Sequence, residues 1–431
     1  MGSHQLSRPR RLIVTLLTAA SLWPAVARGA KSFIPIPEII TDPNEGNTVG
    51  LLGVLLFLDE REQIQYMLAP DIRYNETKGV FPTFRFFGYP SRERRYSVVL
   101  GKSTTRDEDY ELEYTDRSLW EGRGFLLASF LQEADSTERF FGFGNDSREE
   151  RPDPERPAGV TSSRRVCSAN RITGCNRGGE SNYTDVDTQA QVTPGVWVLP
   201  YANLSYRMRI RRYGIERGQV HTIPFIATAH PEARDRGLEG GVFWTHQVAL
   251  TYDSRDSTDI PTRGALGILY SELTDKHIGS ASSFVKFGAD WRDFIPLRKG
   301  NPILALHALA NYTSGDRDTP FWELSSLGGE RSLRGFGSHR FIDFNRSLAS
   351  AELRTRVYQR HVFGVNLEIE LAPFAEAGQV FRHVTDSPVD DLHFVGGLGF
   401  RGVVRPQIVG FVDIGRGSEG NAIFTGIDYP F

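Results

Sequence analysis

The chain has 431 residues, a formal net charge of -3 and a mean hydropathy of -0.33. Its arginines are scattered and form no basic patch, so a nucleic-acid partner is not expected. No cofactor is expected either. The average hydropathy does not exclude a membrane β-barrel, whose wall alternates polar and apolar residues, and the 28 Phe, 15 Tyr and 43 Gly suit such a wall.

Residues 1–27 have the pattern of a secretory signal peptide. Arg8, Arg10 and Arg11 precede an apolar run over 12–23, and Ala25-Val26-Ala27 provides a small-x-small cleavage pattern. The apolar run is shorter than the roughly 20 residues of a membrane-spanning helix, which disfavours a membrane anchor. We therefore expect export and cleavage after Ala27.

Residues 28–46 predict an extended lead-in before the first strand. Pro35, Pro37 and Pro43 interrupt regular pairing there, and the segment is too short to hold a folded domain. We interpret it as a short periplasmic lead-in. The first strand is then expected at Val49–Leu58.

From residue 47 to residue 431, polar and apolar residues alternate in segment after segment. On one such segment the apolar face holds Leu204, Tyr206, Met208 and Ile210, and the opposite face holds Ser205, Arg207, Arg209 and Arg211. A soluble sandwich or lipocalin would bury the arginine face in its core, which disfavours both. The pattern predicts an all-β fold, a transmembrane antiparallel barrel of about 16 strands, with an uncertainty of two strands around 96–120.

The segment from Asn145 to about Glu180 is rich in Arg, Pro, Ser and Gly and predicts a long extracellular loop. It contains Cys167 and Cys175. An exported chain with two closely spaced cysteines most simply forms one local disulfide, and a metal site would need further ligands that the neighbouring sequence lacks.

Two motifs mark connections in the second half of the chain. Asp253, Arg255 and Asp256, followed by Pro261 and Gly264, have the composition of a turn between two strands. The second motif, 327–337, lies in a loop from roughly Ser314 to Arg346, which is long enough to suggest a function. It contains the tripeptide Arg334-Gly335-Phe336.

The chain ends in an alternating strand with an aromatic terminus. Ile423, Thr425, Ile427, Tyr429 and Phe431 fall on one face of a period-two pattern. A barrel in hydrocarbon tolerates no unpaired edge, so a last strand of this kind is typical of an outer-membrane barrel that closes its sheet. We read Ile427, Tyr429 and Phe431 as an assembly signal.

These motifs, with 374–380 and the aromatic end, resemble the superfamily of BamA, TamA and the two-partner-secretion transporters, the bacterial surface antigen family. The resemblance is specific over about 240–431. It implies that the loop tip folds back into the barrel and that its arginine pairs with acids on the next two strands. The matching positions here are Arg334-Gly335-Phe336, Glu352 and Glu376.

Strand alternation supports this pairing independently. Glu352 shares its face with Ser350 and lies opposite Ala351 and Leu353, and Glu376 belongs to the polar face of its own strand. Both carboxylates should therefore point into the lumen. A guanidinium presents a planar fork that suits two carboxylates, so we expect a positional latch.

The family resemblance implies a non-enzymatic barrel that assists insertion or translocation of proteins or lipids. The seam between the first strand and the last is expected to open sideways. Family members that thread or insert proteins carry periplasmic modules before the barrel, and none is recognised here. Either a separate periplasmic adaptor captures the client, or the activity has been lost or changed. Expected partners are outer-membrane lipid and the barrel-assembly machinery.

Two other classes of function are alternatives for a chain with this sequence. A passive channel would use the polar lumen, which Arg207, Arg209 and Arg211 would line with Glu368 and Glu370, and a surface scaffold would make its outside contacts through its loops. A hydrolase would need a nucleophile and a base, but the histidines show no serine-hydrolase or metalloprotease spacing. An enzyme is therefore not expected.

Deleting Phe431 should lower assembly into the outer membrane, because the terminal aromatic completes the closing strand. The yield of heat-modifiable protein in outer-membrane fractions measures this effect. Wild-type yield and gel migration after the deletion would contradict the assembly-signal interpretation.

Overall fold

The computed structural model describes residues 32–59, 64–147, 180–315, 318–362, 365–405, 408–427 and 429–430. Within these ranges, 19 strands form one sheet and two more form a small hairpin. The strands are β1 (Ser32–Asp42), β2 (Gly46–Leu58), β3 (Ile64–Leu68), β4 (Asp71–Asn75), β5 (Gly79–Gly88), β6 (Arg94–Lys102), β7 (Glu108–Ser118), β8 (Gly124–Phe140), β9 (Ser181–Leu199), β10 (Ala202–Arg217), β11 (Gly241–Asp253), β12 (Gly264–Thr274), β13 (Phe284–Pro296), β14 (Ile303–Gly315), β15 (Ser325–Leu327), β16 (Phe341–Asp343), β17 (Asn345–Val362), β18 (Val365–Phe381), β19 (His393–Val404), β20 (Ile408–Gly417) and β21 (Gly420–Ile427).

Short helical turns occur at Leu119–Gly122, Ile226–Ala229, Pro231–Ala233, Lys276–Ile278, Arg298–Gly300 and Phe321–Glu323. None of the helices in the described ranges is long and apolar enough to cross a membrane.

The large sheet closes into an antiparallel barrel. Strands adjacent in sequence pair with each other in the described wall, with two exceptions. β14 pairs directly with β17, which leaves the β15–β16 hairpin out of the wall, and β3 and β4 pair with β2 and β5 and not with each other. β3 and β4 both lie between β2 and β5 and count as one interrupted strand, so the described wall has 18 strand positions. The predicted all-β barrel is confirmed, with two positions more than the expected 16.

The two ends of the barrel differ in their connections. One end, here called the inner end, carries short connections such as 89–93 and 200–201, and it contains the start of β1 and the end of β21. At the other end, here called the outer end, consecutive wall strands are separated in sequence by the long segments 141–180, 218–240 and 316–344. Long loops face outside in outer-membrane barrels, so the outer end is expected at the cell surface.

The outer wall is apolar and has an aromatic belt near the inner end. Large apolar side chains such as Leu204, Val248 and Leu269 are exposed on the wall. Exposed aromatic residues near the inner end include Tyr66, Tyr96, Trp120, Tyr201, Tyr252, Trp291 and Tyr358. Such a belt marks the level of lipid headgroups, which supports a membrane-spanning wall.

The interpretation of 28–46 as a lead-in outside the barrel requires correction. Ser32–Asp42 form β1, which pairs with β2 along its full length, so the first strand is not Val49–Leu58. Half-buried Ile34 and Ile36 alternate with exposed Pro35 and Pro37, as in a strand. Proline is tolerated on edge strands, because its missing N–H costs no ladder hydrogen bond there. β1 resembles an edge strand on the side that borders the seam.

The seam between β1 and β21 has little ladder pairing. Thr41 and Ile423 are the one residue pair that joins these strands in the described structure. This pair lies toward the outer end, because Asp42 ends β1 at the outer hairpin. Toward the inner end, where Pro35 and Pro37 lie, β1 and β21 pack against the same apolar cluster of side chains.

At the inner end the first strands overlap the last strands. Leu52, Val54 and Leu56 lie on the lumen side of β2, since they alternate with exposed Val49 and Leu51. They form one apolar cluster with Leu367, Val404 and Ile427. Those three residues lie on the lipid side of their strands, opposite Glu368, Val403 and Phe424 in the alternation. The lumen face of β2 therefore covers the lipid face of the last strands.

Candidate functional site

The segment between β14 and β17 folds back into the barrel. Its β15–β16 hairpin lies inside the wall, and its apolar side chains pack against β17, β18 and β19. Leu333 and Phe336 are almost completely buried in this cluster, next to Phe374 and Val395. This packing positions the loop tip beside the inner wall.

Arg334 lies at the tip and is 0 % exposed. Its Nε donates a hydrogen bond to Glu376 Oε1 at 2.9 Å, and its backbone N–H donates to Glu376 Oε2 at 2.7 Å. Its Nη1 donates to Glu352 Oε2 at 2.9 Å and to Asp413 Oδ2 at 2.6 Å. The structure therefore brings together Arg334, Glu352 and Glu376 and adds a third acid from β20.

Two wall arginines extend this network. Arg401 Nη2 donates to Glu352 Oε2 at 3.0 Å, and Arg401 also pairs with Asp413. Arg354 Nε donates to Glu352 Oε1 at 2.9 Å. We call Arg334, Arg354, Arg401, Glu352, Glu376 and Asp413 the lumen charge cluster. Its three cations and three anions balance, as burial requires.

The electrostatics of the loop follow from this arrangement. Desolvation alone would lower the pKa of Arg334, but the charges of Glu376, Glu352 and Asp413 raise it above its ordinary value. The guanidinium carbon also lies 3.6 Å from the centroid of the Phe374 ring, a cation–π contact. Arg334 is therefore charged at any working pH.

Glycine at position 335 allows the tip to approach β20. A Cβ atom there would lie 2.5 Å from the backbone N of Gly417 and 2.7 Å from the carbonyl carbon of Arg416. The obstructing atoms are backbone, so a larger residue would push the tip away. The neighbouring Phe336 ring lies directly over Gly417.

A second charge cluster holds the start of the loop. Glu323 accepts a hydrogen bond from Arg211 Nη1 at 2.7 Å, lies 3.6 Å from Arg209 and pairs with Lys286. Burial would raise the pKa of Glu323, but Lys286, Arg209 and Arg211 hold it well below its usual range. The inward arginines expected on β10 therefore bind loop and wall acids.

The turn motif lies at the inner end, between β11 and β12. Arg255 forms a bidentate pair with Asp253, with two hydrogen bonds of 2.9 Å, and Asp256 accepts from the backbone N–H of Thr262 at 2.9 Å. Gly264 has a φ of +92°, and a Cβ there would meet the Ser254 carbonyl oxygen at 2.2 Å. These contacts fix the shape of the turn.

The same turn crosses the inner mouth of the barrel. Ile260, which directly precedes Pro261, is buried against Val403 and Val409 of β19 and β20 and against Tyr429. Asp259 accepts a hydrogen bond from Arg95 of β6 at 3.3 Å. The turn therefore contacts well-separated parts of the wall.

The terminal strand departs from the expected alternation. Ile427 packs on the lipid side of the sheet, whereas Tyr429 points into the lumen, so the two do not share a face. The Tyr429 hydroxyl donates to Glu370 Oε2 at 2.8 Å, and Arg354 lies 3.7 Å from its ring centroid. Tyr429 therefore connects the chain end to the lumen charge cluster.

Several expected features lie outside the described residues. These are the signal peptide over 1–27, the disulfide between Cys167 and Cys175, and the terminal Phe431. They stay predictions.

Sequence reasoning missed Asp413, the lumen contacts of Tyr429 and the role of Arg401. Asp413 could have been found by alternation, since it lies opposite the exposed Val412 and Ile414 on β20. Arg401 lies on the lumen face of β19, opposite the exposed Phe400, but alternation along one strand does not show which other strands its side chain reaches.

Solved structures with the same fold include two barrels at low identity. BamA from Haemophilus ducreyi lacking POTRA domains 1–3 has a TM-score of 0.52 and 14% identity, over 96% of this chain and 78% of that chain. CdiB from Escherichia coli has a TM-score of 0.53 and 11% identity, over 94% of this chain and 68% of that chain. No curated protein matched the sequence.

At these identities the structures show a shared fold alone, and the family is shown by a sequence model. The model of the Omp85 superfamily domain matches residues 94–396, which is more than half of the chain. The chain therefore belongs to the Omp85 superfamily of outer-membrane β-barrels.

Proposed function

We propose that this barrel assists the insertion or translocation of proteins or lipids at the outer membrane. The observation that carries the proposal is the seam, where a single described ladder pair, Thr41 with Ile423, joins β1 to β21. Neighbouring wall strands elsewhere share much longer ladders, such as the 13 pairs between β13 and β14. The seam is therefore the place where the wall opens at least cost in hydrogen bonds.

An open seam would present two backbone edges to a client. A client strand could pair with the free edge of β21, or with the part of β1 beyond its prolines, by β-augmentation. The overlap at the inner end is held by apolar side chains, which separate without breaking a ladder. Family membership supports the same function, since members of this superfamily are transporters or insertases.

The passive-channel alternative is not favoured. The charged loop tip and the β15–β16 hairpin occupy the lumen, and the β11–β12 turn crosses the inner mouth. Apolar residues of 218–240 pack with the start of the loop at the outer end, including Ile226 against Phe321. These segments support a blocked resting lumen.

Depletion of the gene followed by outer-membrane proteomics and lipid analysis tests the proposal. We expect selective loss of one or a few outer-membrane or secreted proteins, or a change in outer-leaflet lipid, before growth slows. A matched strain that expresses the Arg331→Ala variant serves as a control, because Arg331 is an exposed loop residue. An unchanged protein and lipid profile after depletion would refute the proposed function.

A further inference from the structure

The loop tip contacts both hairpins that border the seam. The β1–β2 hairpin turns at 43–45, and the β20–β21 hairpin turns at 418–419, both at the outer end. The segment 334–340 lies between them, with contacts to the first hairpin on one side and to the second on the other. These contacts supplement the single ladder pair.

On the first-strand side the central residue is Asn44, which is 5 % exposed. Its Nδ2 donates to the Ser338 carbonyl oxygen at 2.7 Å. A Cβ on Gly337 would lie 2.3 Å from Asn44 Oδ1, so the loop backbone passes directly against this side chain. The Asn44 carbonyl oxygen accepts from Arg139 Nη2 at 2.7 Å, which anchors the hairpin to β8.

On the last-strand side the central residue is Arg340, which is 2 % exposed. Its Nε donates to Glu419 Oε2 at 2.7 Å, and its Nη2 donates to Glu419 Oε1 at 2.5 Å, so the pair is bidentate. Its Nη1 donates to Ser147 Oγ at 2.8 Å, and its guanidinium stacks on Phe141 at 4.4 Å.

We propose that residues 334–340 form a clasp that holds the two seam hairpins together at the outer end, with Arg340 and Asn44 as its positioning residues. The proposal deepens and rests on the proposed function, for which the clasp would be the regulatory element. Loop movement would release both hairpins at once, since one continuous segment contacts them. A loop held by its lumen charge cluster would keep the seam closed.

The energetics of the contacts favour this role over simple loop anchoring. A charge-assisted bidentate bond from an almost completely buried arginine, such as that of Arg340 to Glu419, is among the stronger polar contacts in proteins. The seam that they reinforce has one described ladder pair in its own right. The clasp contacts therefore outnumber the direct strand pairing that they protect.

Hydrogen exchange of the purified full chain measures the opening of the seam without any client. Arg340→Ala should speed exchange in segments 36–44 and 419–427 about tenfold, the effect of losing one charge-assisted contact on a local opening equilibrium. Asn44→Ala removes a neutral hydrogen bond and should speed exchange in the same segments about fivefold. Exchange in β12 and β13 should not change. Heat-modifiable gel migration verifies that each variant is assembled.

Arg346→Ala is the matched control for general loosening of the loop. Arg346 lies just after the same loop and bonds to Asn311 Oδ1 at 2.6 Å and to the Ser326 carbonyl oxygen at 2.7 Å, away from both hairpins. Its variant should leave seam exchange unchanged. Equal acceleration by Arg346→Ala, or wild-type exchange in both clasp variants, would overturn the clasp.

A milder variant covers the case in which Arg340→Ala does not assemble. Glu419→Gln keeps a hydrogen-bond acceptor at a partly exposed position, and it should give a smaller acceleration confined to the same two segments. No acceleration in this assembled variant and in Asn44→Ala would also overturn the clasp. Because exchange is recorded without a client, failure of the clasp is distinguishable from failure of the proposed function.

Discussion

Replacing Arg334 with alanine is expected to release the long loop from the lumen while the barrel stays assembled. The change leaves Glu376 without the cation that pairs with it in the described structure, and it removes one of three cations from a buried, balanced cluster. Removing one member of a buried ion pair typically costs about 3–5 kcal/mol. The strand ladders do not depend on this contact, so the lost free energy should destabilise the docked position of the loop and leave the wall intact.

Limited proteolysis between Ser314 and Arg346 measures the release, and faster cleavage in this segment is the expected result. Single-channel recording in planar bilayers provides a second measurement. Wild-type protein should show small, flickering conductance, because the loop occupies the lumen, and Arg334→Ala should show larger and steadier events.

The matched control for this experiment is Arg331→Ala, in the same loop. The Arg331 side chain is 71% exposed and pairs with Glu330, and a surface pair of this kind contributes about 0–1 kcal/mol. Its protease sensitivity should equal that of the wild type. Unchanged sensitivity in Arg334→Ala itself would count against a latch.

Strand alternation predicted which side of the wall most polar residues occupy. It placed Glu352 and Glu376 on the lumen side, where the structure brings them within hydrogen-bond distance of Arg334. This works because the side-chain period of a strand is two, so one lipid-facing residue fixes the face of all others on that strand.

Alternation failed where a strand is irregular or ends. Pro35 and Pro37 suggested a chain outside the sheet, although an edge strand at the seam tolerates both. The period-two pattern of 423–431 predicts one face for Ile427 and Tyr429, but β21 ends at Ile427 and Tyr429 lies outside the strands of the described structure, so its side-chain direction is not set by the ladder.

Contacts between distant strands were also outside the reach of alternation. Asp413 joins the lumen charge cluster from β20, whereas Glu352 belongs to β17. The curvature of the closed wall and the path of the loop bring these residues together, and neither is encoded in the pattern of a single strand. Arg340 was missed for the same reason, since its partners Ser147 and Glu419 are far away in sequence.

Tyr429→Ala should destabilise the inner end of the seam by about 3–5 kcal/mol, as truncation of a buried aromatic residue does. The ring is 9% exposed and packs against Ile260, Val403 and Val409. Its loss also removes the 3.7 Å cation–π contact with Arg354 and the hydroxyl that donates to Glu370. The midpoint of heat-modifiable unfolding in detergent measures the change.

Two further variants separate the contributions of Tyr429. Tyr429→Phe removes the hydroxyl that donates to Glu370 and keeps the ring over Arg354, so about 1.5–3 kcal/mol should be lost, the usual contribution of a hydrogen bond to a charged group. Tyr358→Ala truncates a tyrosine that is 51% exposed on the lipid side near the same end, and its midpoint should change little. If the unfolding midpoints of Tyr429→Ala and Tyr358→Ala were equal, the buried Tyr429 would stabilise the barrel no more than a lipid-facing tyrosine does. The inner end of the seam would then be held by the apolar overlap of β2 with the last strands.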